Sequence, residues 1–204
     1  GLVTLQTLIV MVKVPKVGRV KTRLGREIGM ANAAWWYRHQ VREMLRQLRD
    51  PRWQIVLAVT PDVDGLNCRV WPAELARIPQ GSGDLGQRMA RNLSQMPGPA
   101  LLIGSDIPGL SRKNIAEAFA ALGRAQSVIG PAQDGGFGLI GLRNPGRQPK
   151  GFMQGIRWSH RETLADTLPT LPTPVARAAM LADVDGSDDL VAGRWKARDV
   201  TTRP

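Results

Sequence analysis

Residues 5–25 read LQTLIVMVKVPKVGRVKTRLG, an almost unbroken apolar run that gives way to a loop of bases, Pro15 and Gly18. An apolar run from Leu5 to Val12, without polar alternation, is what a strand buried on both faces of a parallel sheet requires. A loop directly after such a strand is where an α/β protein presents groups to an anion. Lys13, Lys16, Arg19, Lys21, Arg23 and the following Arg26 supply cations with no acid among them, and Gly18 permits close approach of backbone amides. The Gly-Lys-Ser or Gly-Lys-Thr ending of a Walker loop is absent. By composition alone, the loop fits a phosphate cradle and a solvated basic surface equally.

The alternation begun here continues along the chain. Ala34, Tyr37, Val41, Met44, Leu45 and Leu48 recur at helical spacing between Ala31 and Arg49, with Arg38, Arg42, Arg46 and Arg49 on a neighbouring stripe. WQIVLAVTP, residues 53–61, reads as a second buried strand stopped by Pro61. After an irregular stretch, Leu85, Met89, Leu93 and Met96 mark a helix capped by Asp84. PALLIGSDIPGL, residues 99–110, is a third strand entering a tight turn, followed by a helix carrying Ile115, Phe119 and Leu122 between a Ser111 cap and Gly123. QSVIGPAQDGGFGLIGL, residues 126–142, gives two apolar runs around an Asp-Gly-Gly turn. Ser159 and Glu162 have capping-box spacing ahead of a short helix with Leu164 and Leu168, halted by Pro169.

This alternation predicts an α/β protein, three-layered α/β/α, with a mostly parallel central sheet. Its 204 residues suit a single domain spanning 1–204 with a sizeable core. Ligands of such sheets bind beyond the carboxyl ends of the strands, here the loops after Lys13, Thr60, Gly104 and Gly130.

The formal charge of +11 predicts attraction to polyanions, whether nucleotide, nucleic acid or anionic membrane. Cys68 is the only cysteine, which excludes an internal disulfide and a cysteine metal cage and fits a reducing cytoplasm. No apolar run approaches the roughly 20 residues of a membrane span, so a soluble cytoplasmic protein is expected.

Asp106 emerges at the end of a buried strand, where a lone carboxylate suits Mg²⁺ bound also by water and phosphate; as a turn residue ahead of Pro108 it would need no ligand. Asp183 and Asp185 in DVDGSDDL lie two apart, on one side if extended, and could add a metal carboxylate, whereas Asp188 and Asp189 suit a helix start. Asp84 in GSGDLGQRM and Asp134 with Gly135 in DGGFGL are ordinary turn signals taken alone. His39 reads as a helix-surface residue, neither it nor His160 belongs to a triad pattern, and Trp35 and Trp36 read as packing residues of an amphipathic helix.

Taken in order, KVPKVGRVKTRL, QGSGDLGQRM, GSDIPGL, PAQDGGFGLIGL, MQGIRWSHRETL and DVDGSDDL resemble a bacterial transferase-like family named for association with radical-SAM and selenium-domain genes. That family belongs to the nucleotide-diphospho-sugar transferase superfamily, the glycosyltransferase A fold, and the resemblance runs from about Lys13 to Leu190. The opening motif is also similar to those of 2-phospholactate guanylyltransferase and, more loosely, the molybdenum cofactor guanylyltransferases. The resemblance implies phosphate contacts at Lys13, Gly18, Lys21 and Arg23, with further nucleotide contacts at Asp84, Asp134 and Gly135. It implies Mg²⁺ or Mn²⁺ on Asp106, with a second ligand at Asp183 or Asp185. Ile107 replaces a cysteine common in the family, and Phe137 stands where Tyr is frequent.

The expected activity is metal-dependent transfer from an activated nucleotide. Nucleotidyl transfer from a nucleoside triphosphate to a small phosphorylated acceptor comes first, with Lys21, Arg23 and Asp106 as catalytic candidates. Glycosyl transfer from a nucleoside diphosphate sugar is the alternative, since one fold serves both chemistries. A non-enzymatic nucleic-acid-binding domain would use the charge but leave Asp106 and Asp183 unexplained, and no RNP-like, zinc or recognition-helix motif supports it.

Overall fold

The structure, a computed structural model of the chain, describes residues 5–107 and 109–179. Strand β1 (Thr7–Lys13) is buried along its length except at Lys13, as its unbroken Leu-Ile-Val run demands. It lies between β2 and β4 in the interior of a seven-stranded sheet of order β3-β2-β1-β4-β6-β5-β7. The partners are β2 (Gln54–Thr60), β3 (Ala76–Pro79), β4 (Ala100–Ile103), β5 (Ser127–Pro131), β6 (Phe137–Leu142) and β7 (Val175–Arg177). All neighbouring pairs are parallel except those made by β6, which runs antiparallel to both β4 and β5. The expected α/β architecture with a mostly parallel sheet is therefore present.

The helices are α1 (Thr22–Ile28), α2 (Met30–Leu48), α3 (Asp62–Leu66), α4 (Leu85–Ser94), α5 (Arg112–Ala121) and α6 (Thr163–Thr167), with a 3-10 turn at Leu168–Thr170. Alternation along β1 sorts the core into two. Leu8, Val10 and Val12 join Val41, Leu45 and Leu48 of α2 and Ile115 and Phe119 of α5 on one face. Ile9 and Met11 join Met89 and Leu93 of α4, with Phe152 and Met153, on the other. Each fully buried Leu or Ile contributes roughly 1.5–3 kcal/mol relative to exposure, and the two-residue alternation of β1 assigns those side chains to opposite faces. No helix among the described residues is long and apolar enough to cross a membrane.

Five local expectations need correction. Residues Thr22–Ile28 form α1, not loop; only Leu24 and Gly25 are buried there, too few to display a helical period. The irregular stretch before Asp84 contains β3, an edge strand whose sequence ARIP carries an arginine and a proline in place of an apolar run. The Ser159 capping box does not form: Ser159 has φ 53, the N-cap falls on Glu162 without a side-chain bond, and Thr163 Oγ1 donates to the His160 carbonyl at 2.7 Å instead. Pro169 falls within the 3-10 turn, α6 having ended at Thr167. On α2, Trp35 is 62% exposed and stacks on the exposed ring of His39 at 4.6 Å, so it is a surface residue and not a packing one.

The Asp84 and Ser111 caps form as expected, each in a reciprocal capping box. The Asp134-Gly135-Gly136 turn joins β5 to β6 in an antiparallel hairpin.

Candidate functional site

Strand register builds the site. Val10 pairs with Ile103 in the parallel β1/β4 ladder, so Lys13 and Asp106 both lie three residues further toward the carboxyl rim. Because β6 runs the other way and pairs Leu139 with Ile103, its first residues, Phe137 and Gly138, reach the same rim. Together they line a cavity of about 320 Å³ with Lys21, Tyr37, Gln80, Leu85 and Met89.

The polar centre is an ion pair. Lys21 Nζ lies 2.7 Å from Asp106 Oδ2, with the lysine side chain 12% and the aspartate side chain 38% exposed. Lys21 has left-handed backbone, φ 48 and ψ 47, at the N-cap of α1, and no side chain caps that helix. A non-glycine residue held in this region costs on the order of 1–2 kcal/mol, and such strain gathers where surrounding structure dictates a direction for the side chain. Here it starts α1 and sends the ammonium toward Asp106. The Trp36 ring, 5.7 Å from Nζ, gives the cation a second neighbour.

Beneath the pair, the buried Tyr37 hydroxyl ties the two loops together. It accepts a hydrogen bond from the Lys13 amide at 2.9 Å and shares another with Ser105 Oγ at 2.9 Å. Burial, first of all, pushes its phenol from an ordinary 10 to about 12; the bonds from Lys13 and Ser105 oppose the rise and the charge of Asp106 adds to it. The group is therefore a neutral structural hydroxyl at any physiological pH.

Gln80, also buried, floors the cavity. Its amide donates to the Ala58 carbonyl at 3.0 Å and the Val12 carbonyl at 3.4 Å. Arg91 donates to the Gln80 and Ser82 carbonyls at 2.9 and 2.8 Å, and Arg88 Nε to the Gly83 carbonyl at 3.0 Å, so two α4 cations secure the glycine-rich loop.

The remaining sequence candidates are placed as follows. Lys13, Lys21 and Asp106 come together at the cavity; Gly18, Arg23, Asp84, Asp134 and Gly135 are not among its lining residues. Gly18 turns an exposed loop at φ 76, with open space around it, and Arg23 is exposed in the first turn of α1. Asp84 Oδ1 accepts from the Gln87 amide at 2.8 Å, and Asp134 Oδ1 from the Gly136 amide at 2.9 Å. Gly135, φ +88, is demanded by close approach: a Cβ there would fall 2.0 Å from the Arg161 carbonyl oxygen. Asp183 and Asp185 lie outside the described residues.

Sequence reasoning did not single out Ser105 or Gln80, and it placed Tyr37 only in the apolar stripe of α2. A signal existed for Tyr37, since a buried phenol must find a hydrogen-bond partner. Gln80 offered none, because its partners are main-chain carbonyls on two other strands.

Among the described residues no cluster of three or more metal-ligating side chains occurs. A divalent ion nevertheless fits the donor chemistry. One carboxylate aimed into the cavity already holds a cation, the Lys21 ammonium, at hydrogen-bond distance, and hard cations commonly take one or two carboxylates and fill the rest of their shell with water and phosphate.

The architecture is that of the nucleotide-diphospho-sugar transferase fold. A protein from Desulfovibrio desulfuricans G20, provisionally named a nucleotide-diphospho-sugar transferase, is 29% identical, with a TM-score of 0.79 over 92% of this chain and 85% of that one. Two more distant structures share the fold. CMP:2-keto-3-deoxy-manno-octonic acid synthetase complexed with CTP is 9% identical, with a TM-score of 0.55 over 94% of this chain and 97% of that one. Rv0371c from Mycobacterium tuberculosis H37Rv, in complex with manganese, is 14% identical, with a TM-score of 0.53 over 93% and 97%. No curated protein matches the sequence. Residues 44–160 match the family described as "Uncharacterized protein conserved in bacteria (DUF2064)", and the chain belongs to that family.

Proposed function

We propose that the chain is a transferase whose cavity takes an activated nucleotide, with its phosphates toward Lys13 and Lys21 and Mg²⁺ or Mn²⁺ on Asp106. The observation that carries this reading is the Lys21–Asp106 pair. It is held inside a cavity at the carboxyl rim, whereas the pair Lys16–Asp64 is more than half exposed on both sides. A strained lysine directed at a lone carboxylate in a ligand-sized hollow is an arrangement for binding anionic oxygen and a cation together. The CTP bound by one fold neighbour and the manganese bound by another support the same partners.

The reaction we favour is nucleotidyl transfer. An oxygen of a small phosphorylated acceptor attacks the α-phosphorus of a nucleoside triphosphate, the bond to the bridging oxygen breaks, and pyrophosphate leaves. Lys13 and Lys21 orient the phosphates and offset their negative charge, and Arg23 at the start of α1 adds a cation from outside the cavity. When bound, a divalent ion supplies Lewis-acid neutralisation of the phosphoryl oxygens. Asp106 holds it, with Asp183 or Asp185 as the second carboxylate. Gly18, Asp84, Asp134 and Gly135 shape the loops that meet the nucleotide. No side-chain nucleophile is required.

Glycosyl transfer from a nucleoside diphosphate sugar is the second reading, favoured by the name of the 29% identical relative. Product identity separates the two: pyrophosphate from a triphosphate, or free nucleoside diphosphate from an activated sugar. The first test is a thermal-shift screen of nucleoside triphosphates and nucleotide sugars with and without Mg²⁺ or Mn²⁺. A ligand at 100 times its Kd stabilises by about 2.7 kcal/mol. The metal-enhanced shift is expected to vanish in Asp106→Asn; an undiminished shift in that variant refutes the metal assignment.

A further inference from the structure

Among the described residues six large apolar side chains are exposed, and four of them fall on three neighbouring elements. Val17 is 62% exposed on the loop after β1, Trp35 62% on α2, and Val63 and Leu66 71% and 43% on α3. The elements are joined. Lys16 Nζ lies 3.0 Å from Asp64 Oδ2, which ties the loop beside Val17 to α3 between Val63 and Leu66. Leu66 shares an open hollow with Arg42 of α2, and Arg42 lies seven residues, two turns, from Trp35 on one side of that helix. Cations surround the apolar side chains: Lys16, Arg19, Arg38, Arg42 and Arg69 are all exposed, and the His39 ring stacks on Trp35. The nearby acids are engaged. Asp64 pairs with Lys16, Asp62 accepts from the Gly81 amide at 3.1 Å, and Glu43 is held by Arg46.

We infer that this face docks the protein on an anionic lipid bilayer, without any segment crossing it. Exposed apolar side chains scattered singly need no explanation, but a group of them marks an interaction surface. Its charge selects the partner. Apolar side chains that reach below the headgroups, among cations that meet anionic lipid, are the composition of a surface that lies on a membrane. Trp35 suits the headgroup level, where an amphipathic ring meets both apolar chains and water. A single-stranded nucleic acid would use the same cations and stack on Trp35, but it leaves Val17, Val63 and Leu66 without a role. The loop that carries Val17 also lends Val20 and Lys21 to the cavity, so docking brings the cavity mouth beside the headgroups. The inference is independent of the reaction proposed for that cavity.

The test is co-sedimentation of the full chain with vesicles of phosphatidylcholine alone and of phosphatidylcholine mixed with phosphatidylglycerol, beside binding to a single-stranded oligothymidylate. Binding to the mixed vesicles and not to the neutral ones is expected. Replacing Arg38 and Arg42 together with Gln should weaken it about 25-fold, roughly fivefold for each cation brought to the surface. Replacing Trp35 and Val63 together with Gln should weaken it about tenfold through lost apolar burial, a loss that persists at high salt where the charge contribution is screened. These four side chains are exposed, so their replacement leaves both cores intact. Brominated acyl chains in the mixed vesicles should quench tryptophan emission, and that quenching should be largely lost in Trp35→Phe. No binding to the mixed vesicles at low salt, equal binding by the unaltered protein and both double variants, or quenching undiminished in Trp35→Phe overturns the docking face. Binding to oligothymidylate with none to vesicles also overturns it and gives the cations to a nucleic acid instead.

Discussion

Replacing Tyr37 with Phe removes one buried oxygen and leaves the ring, which packs edge-on against Trp71 at a centroid distance of 6.3 Å. The hydroxyl joins the Lys13 amide and Ser105 Oγ, each at 2.9 Å, so two polar groups lose a partner. An unsatisfied buried group costs about 1–3 kcal/mol, and water can reach the Lys13 side of the gap more easily than buried Ser105. A loss of ~1.5 kcal/mol near neutral pH follows, lowering Tm by about 3–6 °C for a chain of this size.

The effect has a pH signature. Below pH 10 the phenol is protonated in both folded and unfolded chains and contributes no pH dependence. Between about 10 and 12 the unfolded chain gives up its proton while the folded protein, with its phenol raised to about 12, retains it. The native state then binds more protons, so stability falls as pH rises, by roughly 2–3 kcal/mol in total. Tyr37→Phe lacks this loss, and the two stability curves should cross at about pH 11. Tyr37 is the only tyrosine, so tyrosinate absorbance in the near ultraviolet reports it alone. Urea titrations across this range supply the stabilities. Equal stability of the two proteins at neutral pH, with native tyrosinate appearing near pH 10, would refute the buried-clamp reasoning.

Two further substitutions test the loops around the cavity. Gly135→Ala should destabilise the hairpin by more than the ~1 kcal/mol of an ordinary left-handed penalty, because its Cβ would strike the Arg161 carbonyl; calorimetry showing a loss below that value would contradict the close approach. Asp84→Ala removes the cap of α4 and should cost about 0.5–2 kcal/mol in urea unfolding, with Asp84→Asn recovering most of it, since either side chain can accept from the Gln87 amide.

The parts of the fold legible in the sequence were those whose signal is local. The apolar run of β1, the period of α2 and the caps at Asp84 and Ser111 each need only a few neighbouring residues to be recognised, and each is present. Helix α1 escaped because two buried residues cannot display a period, and β3 because an edge strand tolerates arginine and proline. Ser159 and Glu162 had the right spacing for a cap, yet Thr163 takes the hydrogen bonds to the Arg157 and His160 carbonyls that order this turn. In the cavity, Asp106 was legible because it follows a buried strand, three residues past its last one. The partnership with Lys21 spans 85 residues of sequence and depends on a left-handed turn that lysine gives no reason to expect. Gln80 serves carbonyls on β1 and β2, and main-chain acceptors leave no mark in the sequence.

The reversal of β6 has a consequence for how such a cavity can change. Three of its boundaries hang from parallel strands whose crossover connections are long, so altering one of them disturbs a helix as well. The wall at Phe137 and Gly138 hangs instead from a hairpin, whose turn at 133–136 lies apart from the ladder that aligns Lys13 with Asp106 and is held by the close approach of Gly135 to the Arg161 carbonyl. The molecule thus separates the parallel-strand side of the cavity, where the ion pair sits, from a wall that a single hairpin carries.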